Sequence, residues 1–231
     1  MLLLIVASIA FVGLHFLLSH PLRAPIVAAI GETAFLGVYS LVALITLGGM
    51  AHAYAAMPPQ APLWAVGDLL WAIGTLVMLL ASVLFVGALR GNPALPDPTG
   101  RPKAVPSPRG VFAITRHPMM WAFALWALVH AAVFPIPANL VLTAAILILA
   151  LVGAALQDAK KRKLQPQFWP RWQAVTSYWP FGAIRAGTAQ GAAAWPGALV
   201  WIGALVLWLV ATWAHLPLAG WVAGIWRWVA I

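Results

Sequence analysis

From Leu63 to Leu89 the chain carries one charged side chain, Asp68, among residues that are otherwise apolar or small. Five more stretches share this character: Leu2–Ser19, Glu32–His52, Pro118–Phe134, Ala138–Gln157 and Pro196–Ala214. A helix rises about 1.5 Å per residue, so about 20 such residues cross the hydrocarbon core of a bilayer. In lipid every backbone N–H and C=O must be paired within the protein, which leaves helices as the natural form for runs of this length. The sequence therefore predicts an all-α protein, a polytopic transmembrane helix bundle of about six spans. Composition agrees: 64% of the 231 residues are hydrophobic and 7% charged, against roughly 25% charged in soluble domains.

Both ends of the chain need separate treatment. Met1 to Ser19 is apolar from the outset, with no basic leader and no small-x-small cleavage site before His20. It reads as a retained span rather than a signal peptide. The tail Leu216–Ile231 is short and sets Arg227 between Trp226 and Trp228, a pattern suited to a C-terminal interfacial helix.

Charge placement predicts orientation. The formal net charge is +9, and of the 13 Lys and Arg all but Arg227 fall in the first, third and fifth connections between spans. By the positive-inside rule these connections are cytoplasmic and the N-terminus lies outside. The basic residues then meet anionic lipid headgroups rather than nucleic acid. The third connection is broken by prolines and glycines from Gly91 to Gly110, so most of it cannot be regular helix.

Ionisable groups within apolar spans are costly, which makes each a functional candidate. These are His15, His52, His130, Glu32 and Asp68, with His20, Arg116 and His117 at span ends. Glu32 and Asp68 sit at expected helix N-termini, where unpaired N–H groups stabilise a carboxylate. His20 and His215 lie beside prolines at the interfaces and read as solvated. The chain has no cysteine, which excludes disulfides, thiolate zinc, cysteine-held clusters and covalently attached haem. Any metal or haem must be held by His, Met, Tyr or carboxylate. His130 lies thirteen residues beyond His117, roughly 20 Å deeper and about 140° around the helix. Those two cannot share a ligand, whereas His130 could pair with His15 or His52 given some tilt. Arg116-His117-Pro118 offers a cationic pair at a helix start, with Pro118 suited to the first helical position.

The run Ile114-Thr115-Arg116-His117-Pro118-Met119-Met120-Trp121, continuing to Ala127-Leu128-Val129-His130, resembles the NnrU family of bacterial membrane proteins. So do Gly13-Leu14-His15, Pro21-Leu22-Arg23, Gly31-Glu32 and Tyr39-Ser40-Leu41. Asp158-Ala159-Lys160-Lys161-Arg162-Lys163 and Thr176-Ser177-Tyr178-Trp179-Pro180-Phe181 complete a likeness over most of residues 1–185. It implies an NnrU-like transmembrane domain over 1–185, followed at 186–231 by a C-terminal transmembrane helix and interfacial tail. The family is associated with denitrification and nitric oxide metabolism. It is similar to 15-cis-zeta-carotene isomerase, a membrane enzyme thought to use haem b on two histidines. The resemblance thus implies a multi-pass protein of the bacterial inner membrane that binds haem b. His15 and His130 would be the axial pair, with His52 also matched, and nitric oxide or a small apolar molecule the ligand. The Arg-His-Pro triplet also resembles membrane methyltransferases that bind S-adenosylmethionine, which would make Arg116 and His117 cofactor contacts. Asp158-Ala159 stands where those enzymes carry paired glutamates, and Met119 to Val129 lacks their glycine. A non-enzymatic assembly factor for a respiratory complex is the third expectation.

Overall fold

A computed structural model of the protein describes residues 1–94 and 104–229, and the described residues are helical or irregular, without strands. Five helices are long and apolar enough to cross a membrane. They are α1 (Leu2–Ser19), α3 (Glu32–Ala55), α4 (Asp68–Gly87), α7 (Pro137–Leu164) and α10 (Ala198–Trp213), the last running on into α11 (His215–Ala219). The expected fourth span is α6 (Pro118–Val133), apolar but shorter at 16 residues, about 24 Å long. The short helices are α2 (Arg23–Ile30), α5 (Val111–Ile114), α8 (Trp169–Val175) and α9 (Gly182–Arg185).

The long helices pack as a row whose order is α10, α4, α6, α7, α1, α3. α6 and α7 therefore form the middle, while α3 and α10 at the two ends bury the least surface. Their outer faces present Leu41, Leu44, Ile45, Leu199, Ile202 and Val206, the expected covering for a surface solvated by lipid. Close approach within the row depends on small residues. A Cβ on Gly74 of α4 would stand 3.1 Å from Val129 Cγ1 of α6.

The helix boundaries have local causes. Pro118 opens α6 and Pro137 opens α7, each at a position where the missing N–H leaves no helical bond unmade. Gly31, at φ +82°, separates α2 from α3. α7 differs most from expectation, since it continues through Asp158 and the basic run to Leu164 instead of ending at Gln157. Ala, Lys and Arg are good helix formers, and cations favour a helix C-terminus. The extension fixes Asp158, Lys160 and Lys161 on one rigid element.

The tail also differs from the expected interfacial helix. After α11 it forms only a 3₁₀ turn, Gly224–Arg227, which packs on α10 and α4. Gly224 has φ +61° and lies directly against Thr212. Trp226 Nε1–H donates to Thr212 Oγ1 at 3.1 Å, and Arg227 pairs with Asp68 at 3.2 Å. Side-chain bonds to α10 and α4 thus tie the tail down.

Candidate functional site

Three groups of polar residues are held inside the helix row. The first surrounds Asp158, on the part of α7 that extends past its apolar run. Arg116 lies just before α6, and its Nε–H and NH2 groups donate to Asp158 at 2.9 and 2.8 Å. His117 Nε2–H donates to the same carboxylate at 2.9 Å, and Trp169 Nε1–H at 3.1 Å. Arg116 also donates to the Thr176 carbonyl, and its backbone N–H to Ser177 O. Thr115 and Trp121 both donate to the Tyr178 carbonyl, at 2.7 and 2.9 Å. The Arg-His-Pro triplet is thereby bolted to α7 and to the segment after α8. Trp169 and His117 are almost fully buried, so these charges compensate one another inside the protein. His117 Nδ1 is buried without a partner. Tyr178 donates its hydroxyl to the Leu151 carbonyl at 2.7 Å. Burial, reinforced by the Asp158 charge, raises its pKa above the ordinary tyrosine value.

The second group lines a cavity of about 400 Å³ bounded by α1, α3, α6 and α7. α1 and α6 flank α7 from opposite sides, which leaves a slot between them. Its walls are apolar and aromatic, with Phe11, Phe123 and Leu149 among them, and Gly153 keeps part of the α7 wall low. His15 projects into this slot. Its Nδ1–H donates to the Phe11 carbonyl at 2.6 Å, fixing the tautomer and leaving the Nε2 lone pair unengaged. Tyr39 meets the His15 ring edge-on, with centroids 5.5 Å apart. Met120 and Phe123 of α6 line the same cavity. Toward the basic end lie Ser19, His20, Gln157 and Lys160. Burial first, and the Lys160 charge second, lower the His20 value below its ordinary 6.5.

The third group lies deeper along α6. His130 lines a cavity of about 100 Å³ between α4, α6 and α10. Its Nδ1–H donates to the Trp126 carbonyl at 2.8 Å, and its ring stacks on Trp126 at 4.1 Å. His215 Nδ1–H donates to Ala211 O in the same manner. The two histidine rings stand 5.9 Å apart, so His215 is a ring partner of His130 rather than a solvated terminus.

The structure thus brings some of the expected residues together and separates others. Arg116 and His117 share Asp158. His15 and His130 line different cavities, the first between α1, α3, α6 and α7 and the second between α4, α6 and α10. His52 is exposed near the end of α3. Among the described residues no cluster of three or more His, Asp or Glu is arranged to hold a metal ion. Sequence reasoning missed the roles of Tyr39, Gln157 and Lys160. The last two are three residues apart on α7, hence on one helix face, a signal hidden by reading Lys160 only as one of the basic residues that meet lipid headgroups.

A row of apolar helices with lipid-facing flanks and polar clusters held between the helices defines a polytopic helical membrane protein. Its sites are buried between helices and not displayed on a soluble domain. The chain belongs to the NnrU protein family, whose model matches residues 3–223, nearly the whole length. No curated protein and no solved structure matches it.

Proposed function

We propose that this NnrU-type protein binds haem b in the cavity between α1, α3, α6 and α7, with His15 as an axial ligand, and serves denitrification and nitric oxide metabolism in the bacterial inner membrane. The observation that carries this reading is the His15 imidazole. It is anchored through Nδ1–H to Phe11 O and lines an apolar slot, with Nε2 as its remaining ring nitrogen. Metal-bound histidines characteristically donate their second nitrogen to a carbonyl in this way. The slot volume falls within the range of sites that enclose small organic ligands. Its aromatic and aliphatic walls suit a flat apolar macrocycle. Bound there, a ferrous haem supplies an iron that takes nitric oxide or exchanges one electron. The chain's own part is to hold the imidazole, exclude water with Phe11, Phe123 and Leu149, and present the α6 wall to the opposite side of the slot.

His130 is not assigned as the second ligand, because it opens onto the smaller cavity beside His215. Arg116 and His117 are not assigned to a cofactor, because the guanidinium and His117 Nε2–H both hold Asp158. The test is the absorption spectrum of detergent-purified protein, oxidised and dithionite-reduced, for wild type, His15→Ala and His130→Ala. The expected result is a Soret band with sharp reduced bands that His15→Ala abolishes and His130→Ala retains. A featureless wild-type spectrum after haem supplementation sinks the reading, and so does a Soret band that depends on His130 and not on His15.

A further inference from the structure

The whole chain has four carboxylate side chains: Glu32, Asp68, Asp97 and Asp158. Three of them lie among the described residues, and each already has a cationic partner. Glu32 holds Arg23, Asp68 holds Arg227, and Asp158 holds Arg116 and His117. Lys160 forms an ion pair with none of these three described carboxylates. Its side chain lines the basic end of the α1/α3/α6/α7 cavity beside Ser19, His20 and Gln157. Arg23 and Lys161 repel its ammonium, and Glu32 attracts it. His20 Nε2 is also buried without a properly directed hydrogen bond, although the Leu156 carbonyl is near. A half-buried ammonium next to an underused imidazole is costly unless an anion arrives.

We infer that the Lys160–His20 end of this cavity receives the anionic end of an amphiphile whose apolar body lies along His15, Phe11, Phe123 and Leu149. The chemistry required is a carboxylate at one end of a flat or chain-like hydrocarbon. The propionates of haem b meet it, and so does the carboxylate of a long-chain acid drawn from the bilayer. The first source rests on the proposed haem site, whereas the second does not. Gln157 donates to Ala94 O, which orients its amide against the loop after α4 and leaves Lys160 as the charged group.

The test compares each acid with its neutral ester: haem b with its dimethyl ester by Soret titration, and oleate with methyl oleate by native mass spectrometry. The proteins are wild type, Lys160→Met, Lys160→Arg and Lys163→Met, the last altering an exposed lysine of the same run. Wild type is expected to bind the acid about ten- to a hundredfold more tightly than the ester, the weight of a hydrogen bond between charged groups. Lys160→Met should erase the preference, while Lys160→Arg and Lys163→Met keep it. Discrimination of oleate without any haem binding removes the haem reading and leaves the anion subsite standing. Equal binding of acids and esters overturns the subsite, as does binding of neither or a preference that survives Lys160→Met. Because the wild-type comparison needs no substitution, a variant that fails to fold does not rescue the inference.

Discussion

The Arg116 guanidinium lies against the Asp158 carboxylate, with Nε 2.9 Å from Oδ2 and the NH2 group 2.8 Å from the same oxygen. Since His117 and Trp169 donate to the other oxygen, this one carboxylate joins the start of α6, the end of α7 and the start of α8. Asp158→Asn leaves a buried guanidinium without its countercharge. Its expected cost is about 3–5 kcal/mol, the range for breaking one partner of a buried pair. Thermal unfolding in detergent should show a large fall in Tm. The double variant Arg116→Met/Asp158→Leu removes both charges and should recover part of that loss. A double variant no better than Asp158→Asn would mean that the two charges do not act as a pair.

Much of the fold was legible in the sequence because lipid leaves so few options. Apolar length located α1, α3, α4, α6, α7 and α10 to within a few residues at most ends. Pro118 marked the start of α6, and α7 begins at Pro137, one residue before the expected Ala138. Lateral order was not legible, because hydropathy does not say which helix packs beside which. α4 and α6 lie between α10 and α7, while α1 and α3 occupy the far side, and this order divides His15 from His130. Depth along the membrane normal allowed that pair only with some tilt, and the family resemblance is what pointed to it. Asp158 was hidden for another reason. Next to a run of four basic residues it looked like one charge among many, and only the continuation of α7 turns it toward Arg116.

Gly224 is the point at which the tail touches α10. At φ +61° a side chain is strained, and a Cβ there would stand 2.6 Å from Thr212 Cγ2. Gly224→Ala should displace the turn, break the Trp226–Thr212 bond and cost roughly 1–3 kcal/mol, as overpacking usually does. Limited proteolysis should then remove the tail faster than in wild type. An unchanged cleavage rate would show that the turn is not held through this contact.

Tyr178 gives the molecule a dependence on alkaline pH. Its hydroxyl is the donor to Leu151 O, and burial with the Asp158 charge raises its titration above the ordinary value of 10.0. The unfolded chain therefore loses this proton first as pH rises, so stability falls from about pH 10 upward. Below that pH the contribution is fully present. Tyr178→Phe should cost about 1 kcal/mol at pH 8, a typical net hydrogen bond, and should flatten the decline in Tm above pH 10 relative to wild type. Parallel slopes for the two proteins would assign the alkaline sensitivity to the lysines instead.

Gly153 separates ligand binding from stability in the proposed haem site. It lies on α7 where the cavity wall is low, and a Cβ there would meet only Phe16 Cε1 at an ordinary 3.7 Å. Gly153→Leu therefore adds a side chain that has room to extend into the slot and nowhere else to pack. The helix itself gains, because leucine is about 1 kcal/mol more favourable than glycine in a helix interior. Tm should hold or rise, while haem affinity falls by at least about tenfold, the equivalent of 1.4 kcal/mol. Gly153→Ala is the graded control, with one methyl group at a tolerated distance and a smaller loss. Stability and affinity moving in opposite directions is the signature of a filled site. If both fell together, the leucine would have disturbed the packing of α7 on α1, and if affinity held, the ligand would lie outside this slot.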